Sequence, residues 1–322
     1  MTASTLVRPA VSAVRFLRAH PRAAKALQAA LLAATVGFCV WAVRDEWSKA
    51  SSSIGDADLR YLGISLALVA VYYLVFILGW IRMLAAWNIE VSYRVALQAE
   101  MVSMLAKYLP GGVWTPAARA VALRRAAGVT ETPTVLASIL VEAALSAISG
   151  VLVFVISLAW VRGVDAPLPL LIAFALLCAA LLHPRVFRPL GQRLLRPFGA
   201  TVEPLPFGLT IALLLFYCGT WLIAGFALYF LLRSVGADPG LSTVAFLGGT
   251  SAVGAIVAVL AVFSPSGLGV REASMYGLLL AVTGEGPALG AALMNRLTIT
   301  VVELALFGAG VASWRVTRRR AS

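Results

Sequence analysis

The 322 residues carry a formal net charge of +12, yet only 12% are charged, 61% are hydrophobic and the mean hydropathy is +0.92. A soluble domain carries about 25% charged residues, so this composition excludes a water-soluble globular protein. The basic residues lie between apolar runs rather than on one polar face, which argues for topology signals and against a nucleic-acid surface.

In chain order, the apolar run at 24–43 is too long for a cleaved signal and is followed by further spans. Together with 61–82, 134–160, 167–183, 207–232 and 288–313 it makes six predicted spans of an all-α polytopic membrane protein. Pro167 and Pro169 shorten the fourth. Segments 94–127 and 241–283 are apolar but interrupted. With the N-terminus inside, nineteen Lys or Arg flank the spans on the cytoplasmic side and five lie outside, which predicts that both termini are cytoplasmic. Cys39, Cys178 and Cys218 each fall within an apolar run, without disulfide or metal-ligand spacing, and read as small core side chains. His20 and His183 both precede proline at membrane edges and read as loop residues.

The interrupted segments resemble each other. "YLPGGV" is followed by "GVTETPTVLASILVEAALSAISGVLVF", and "FSPSGLGVRE" by "AVTGEGPALGAALMNRLTITVVELALF". Pro110 aligns with Pro265, Thr130 with Thr283, Pro133 with Pro287 and Glu142 with Arg296, at a spacing between 153 and 155. The halves, about 24–160 and 167–313 of one membrane domain, each hold three spans. An odd number makes the second half enter the membrane from the opposite side, the inverted-repeat plan of many secondary transporters. On this plan 94–127 and 241–283 are re-entrant hairpins. The alternative makes 241–263 and 266–283 ordinary spans, eight in all.

Pro110 removes a donor and disfavours helix at Leu109, while Gly111 and Gly112 allow a tight turn. A new helix is expected at Thr115–Pro116, its positive end a site for an anion and Arg119 a turn further on. Pro265, Ser266, Gly267 and Gly269 repeat the scheme before Arg271. Thr115, Arg119, Ser266 and Arg271 are the candidate headgroup-binding residues. The same arginines, with Arg124 and Arg125, also read as topology signals at the headgroup level. Ionisable residues within spans face the bundle interior. Glu142 and Arg296 are expected to pair across the pseudo-symmetric centre, with Glu303 two turns beyond Arg296 and Glu272 beside Arg271, as a gate or proton-coupling set. Glu100 lies before the first break. Asn295 is expected to hydrogen-bond between helices. No nucleophile, metal set or nucleotide-binding loop suggests catalysis or a cofactor.

At "LPGG", the basic helix after it, "SPSGLGVRE" and "ALMNRL", the chain resembles the flippase-like membrane region of lysylphosphatidylglycerol synthases over roughly residues 20–315. The resemblance implies a bacterial-type inner-membrane protein that moves lipids between leaflets. It carries over to Pro110, Gly111, Arg119, Glu142, Pro265, Gly267, Gly269, Arg271, Glu272 and Arg296. Aminoacyl transfer in that family belongs to a separate soluble domain, and the sequence ends six residues after Val316, so no enzyme activity is expected. Two functions stay open. One is a transporter of an anionic or phosphate-bearing lipid, a phospholipid or a lipid-linked sugar. The other is a non-transporting partner that presents lipid to a separate glycosyltransferase or synthase.

Overall fold

The computed structural model describes residues 55–104, 106, 114–164, 166–195, 202–261, 267 and 269–321. Among them ten α-helices form: α1 (Leu59–Ala86), α2 (Tyr93–Ser103), α3 (Trp114–Ala127), α4 (Thr132–Ser157), α5 (Leu168–Leu182), α6 (Pro184–Leu195), α7 (Phe207–Ser234), α8 (Val244–Leu260), α9 (Val270–Leu279) and α10 (Glu285–Ala321). A 3-10 turn at Leu241–Thr243 leads into α8. Asp58 caps α1: its side chain accepts from the Arg60 N–H at 2.8 Å, satisfying a donor that the first turn leaves free.

Among the described residues five stretches are long and apolar enough to cross a membrane: α1, α4, α7, Leu241–Leu260 and Glu285–Gly310. The spans expected at 61–82, 134–160, 207–232 and 288–313 are α1, α4, α7 and α10. The one expected at 24–43 lies outside the described residues. The span expected at 167–183 is α5, which passes the same test of length and apolarity only together with α6, as a bent pair. α5 has 15 residues, about 22 Å of helix, and the chain bends by 69° into α6. The cause is Pro184, which drives His183 into extended backbone and starts a new helix. Outward-facing leucines, such as Leu140, Leu176 and Leu215, are exposed and suit a lipid surround rather than water.

The interrupted segments are unequal. α2 and α3 have 11 and 14 residues, about 16 and 21 Å, and neither crosses a core of roughly 30 Å. In the second half Leu241–Leu260 is long enough to cross, whereas α9, with 10 residues, spans about 15 Å. Among the described residues α9 is therefore too short for the ordinary span that the eight-span alternative places at 266–283, while Leu241–Leu260 is long enough to be the span it places at 241–263.

The duplication is visible in the packing. α1 and α7 have 28 residues each and lie 148 positions apart at both ends (59 to 207 and 86 to 234). Exchanging α1, α2, α3 and α4 with α7, α8, α9 and α10 maps the packed pairs onto one another. α1–α2 becomes α7–α8, α2–α3 becomes α8–α9, α3–α4 becomes α9–α10, α1–α4 becomes α7–α10, α2–α10 becomes α8–α4, and α4–α7 becomes α10–α1. The related helices α1 and α7 pack on each other and run antiparallel. Asp58 donates its N–H to the Ser234 carbonyl at 2.9 Å, Ser65 its hydroxyl to the Ala227 carbonyl at 2.8 Å, and a Cβ on Gly79 would strike the Tyr217 side chain. A two-fold axis exchanging antiparallel membrane helices lies in the membrane plane, which is the geometry of an inverted repeat.

Two apolar cores form, each drawing on both halves: one joins Trp80, Leu123 and Leu145 with Tyr217, the other joins Phe154 with Leu228, Phe246 and Met275. Small residues let the helices close up: a Cβ on Gly225 of α7 would lie 2.8 Å from the Gly248 nitrogen of α8.

Candidate functional site

Helices α1, α2 and α4 converge on Arg119 of α3, which is 5% exposed, and α7 reaches the cluster through Glu142. Its Nη1 donates to Glu142 Oε2 of α4 at 2.6 Å, and its Nη2 is ion-paired with Glu100 Oε2 of α2. Tyr217 of α7 donates its hydroxyl to Glu142 Oε1 at 3.3 Å. The Trp80 ring of α1 lies 4.8 Å from the guanidinium carbon, a cation–π contact, and its Nε1 donates to Ser138 Oγ at 2.7 Å. Two carboxylates thus share one guanidinium in a dry setting, where ion pairs hold only with close geometry and added hydrogen bonds.

The second half is arranged differently. Gly269, with φ +80°, turns the chain into α9 and donates its N–H to Glu272 Oε2 at 2.7 Å. The other Glu272 oxygen faces Arg296 Nη1 of α10 at 3.8 Å, an ion pair beyond hydrogen-bond length. Arg271 lines a cavity of about 210 Å³ with Tyr72 and Tyr73 of α1, Trp221 of α7, Ser251 of α8 and Asn295 of α10. Its Nη2 reaches Asn295 Oδ1 at 3.4 Å, while its Nε has no hydrogen-bond partner. The Ser251 hydroxyl, 4% exposed, has none either. Tyr73 donates to Glu303, a fully buried carboxylate on α10.

The expected Glu142–Arg296 pair is replaced by two pairs, each within one half. The reason is proximity: α3 packs on α4 and α9 on α10, so each charge meets its opposite on the neighbouring helix of its own half. The two candidate arginines also differ, since Arg119 is held by two carboxylates whereas Arg271 faces a cavity. Thr115 lies in α3 (Trp114–Ala127), the helix expected at Thr115–Pro116. Gly267 and Gly269 both have positive φ. Pro110, Gly111, Gly112, Pro265 and Ser266 lie outside the described residues.

Residues that sequence reasoning passed over are Trp80, Tyr72, Tyr73, Tyr217 and Ser251. Their one signal was a hydroxyl or indole N–H inside an apolar run, and in a membrane that group needs a partner.

The family model described as "Lysylphosphatidylglycerol synthase TM region" matches residues 26–306. The chain belongs to this family. All members of both charged clusters lie within the matched residues. No curated protein matches the chain. As a lysylphosphatidylglycerol synthase TM region, the chain is a multi-pass membrane protein of a family tied to membrane lipids, and its buried ionisable residues sit in the part of the family's architecture that is embedded in lipid.

Proposed function

We propose that this chain moves an anionic, phosphate-bearing lipid, either a phospholipid or a lipid-linked sugar, between the leaflets of a bacterial-type inner membrane. Its termini are cytoplasmic, and it catalyses no covalent step itself. The observation that carries this reading is Arg271 in its cavity at the junction of the two halves. A half-buried guanidinium whose Nε is shut off from water is costly without a counter-ion, and among the described residues no carboxylate lies within 4.0 Å of this one. A phosphate oxygen beside Arg271, with the Ser251 hydroxyl and the Asn295 amide for the remaining polar groups, would satisfy it. Membrane association through a lipid headgroup also explains why an arginine is tolerated there at all.

The inverted repeat supplies the means of movement. Two equivalent halves related by an axis in the membrane plane can rock about a central site, opening it to one leaflet and then the other.

The test is transfer of phosphatidylglycerol across proteoliposomes holding the full chain. Arg271→Ala is expected to abolish transfer while the purified variant keeps its helical content and melting temperature. Unchanged transfer by that variant would remove Arg271 from the role. A folded wild-type chain that moves no lipid would favour a membrane partner that presents lipid to a separate glycosyltransferase or synthase.

A further inference from the structure

We propose that the Glu100–Arg119–Glu142 cluster holds a proton that accompanies the anion at Arg271, so that lipid movement is tied to proton movement. The proposal rests on the transport reading and adds its energy source.

The first argument is the count of charges at the cluster. Glu100, Arg119 and Glu142 come from α2, α3 and α4 and are all at least nine-tenths buried by residue. Two carboxylates face one guanidinium. Among the described residues, α7 brings the Tyr217 hydroxyl to Glu142 and α1 brings the Trp80 ring to Arg119, while α2 also carries Arg94 and packs on α10, which carries Arg296 and Glu303. α5 and α8 carry no acidic or basic side chain. Two carboxylates that share a single counter-ion in a dry site hold one proton between them. Arg119 occupies one oxygen of each carboxylate, Glu100 Oε2 and Glu142 Oε2, and Glu142 Oε1 meets only the Tyr217 hydroxyl at 3.3 Å.

The second argument is the position of the cluster relative to the cavity. Tyr217 lies on Glu142, Phe76 packs at a tilt against Tyr217 with ring centroids 4.9 Å apart, and Tyr72 follows Phe76 at 5.5 Å. Tyr72 lines the cavity with Arg271 and lies within electrostatic reach of Arg271, Glu142 and Glu100 alike. Phe76 has no polar group, so the link is electrostatic rather than a proton wire. An anion arriving beside Tyr72 makes a second ionised carboxylate nearby less favourable, and a proton bound at Glu142 restores the balance. Anion and proton bind together, and each promotes the release of the other when it leaves. No bond other than the O–H bond of the carboxyl group is made or broken.

Two measurements on the full chain test this. Infrared difference spectra between acidic and alkaline buffer, in phosphatidylcholine vesicles, should show a titrating carboxyl band that disappears in Glu142→Gln. Calorimetric titration with short-chain phosphatidylglycerol, in two buffers of different ionisation enthalpy, should show uptake of roughly one proton per lipid bound. The Glu142→Gln variant should bind lipid with no uptake. Absence of the carboxyl band overturns the proton site, whether or not lipid moves. Lipid binding without proton uptake by the wild type overturns the link. A normal band with no lipid binding would overturn the transport reading and leave the proton site standing.

Discussion

Arg119 and Glu142 meet at 2.6 Å across α3 and α4, and Glu272 and Arg296 repeat that relationship across α9 and α10 with the charges exchanged. The partners are 23 residues apart in the first half and 24 in the second. Each pair ties the short helix after a break to the long span behind it. The exchange of sign explains how two halves of one plan come to differ chemically: the first has a carboxylate to spare, and the second has Arg271 facing a cavity.

Removing the cation from the first cluster should be far worse than neutralising one anion. Arg119→Ala leaves Glu100 and Glu142 buried together without a counter-ion and should cost about 3–5 kcal/mol of stability. Glu142→Gln leaves Arg119 paired with Glu100 and should cost much less. Thermal unfolding of the purified variants in detergent measures the difference; equal losses would contradict the shared-guanidinium picture.

The close approach of α7 and α8 depends on glycine. At Gly248 a Cβ would press on the Trp221 backbone, so Gly248→Val should cost about 1–3 kcal/mol through overpacking. Gly219, exposed on the same α7 with nothing within 4 Å of an added Cβ, is the control, and Gly219→Ala should leave the melting temperature unchanged.

Much of this architecture was legible in the sequence. The long apolar runs gave α1, α4, α7 and α10, because a segment that must satisfy its own backbone in lipid declares itself by length and composition. The constant spacing from Pro110 to Pro265 and from Pro133 to Pro287 marked the repeat. The partners of the charges were not legible. Glu142 and Arg296 occupy equivalent positions, and equivalence suggested a pair; only the packing of α3 on α4 reveals that Arg119 is nearer. The cavity was hidden for a related reason, since Tyr72, Ser251 and Asn295 come from three helices and no local pattern joins them.

The turn before α9 should be sensitive to any side chain. Gly269 has φ +80° and its N–H is bonded to Glu272. Gly269→Ala should cost roughly 1–2 kcal/mol through its left-handed backbone. It should also weaken lipid binding, because the turn aims Arg271 into the cavity. Normal binding by a destabilised variant would separate the turn from the site.

α6 should lie in the membrane interface. Val186, Phe187 and Leu190 share one side of it, and Arg185 and Arg188 another. The ion pair of Arg188 with Glu203, at 3.1 Å, joins two mostly exposed side chains and contributes little to stability. A tryptophan introduced by Phe187→Trp should be quenched best by labels at headgroup depth. Replacing Arg185, Arg188 and Arg193 by Gln should weaken the attraction to anionic lipid by about 1 kcal/mol per arginine, seen as a smaller effect of phosphatidylglycerol on that fluorescence.

The most direct test of lipid movement is the accessibility of the cavity from the two sides of the membrane. A single cysteine introduced by Ser251→Cys, in a background lacking Cys39, Cys178 and Cys218, would be exposed to an impermeant thiol reagent on intact cells and on inverted vesicles. The account predicts labelling from both sides, reduced from both by added phosphatidylglycerol. Labelling from one side alone, whatever lipid is present, would contradict it.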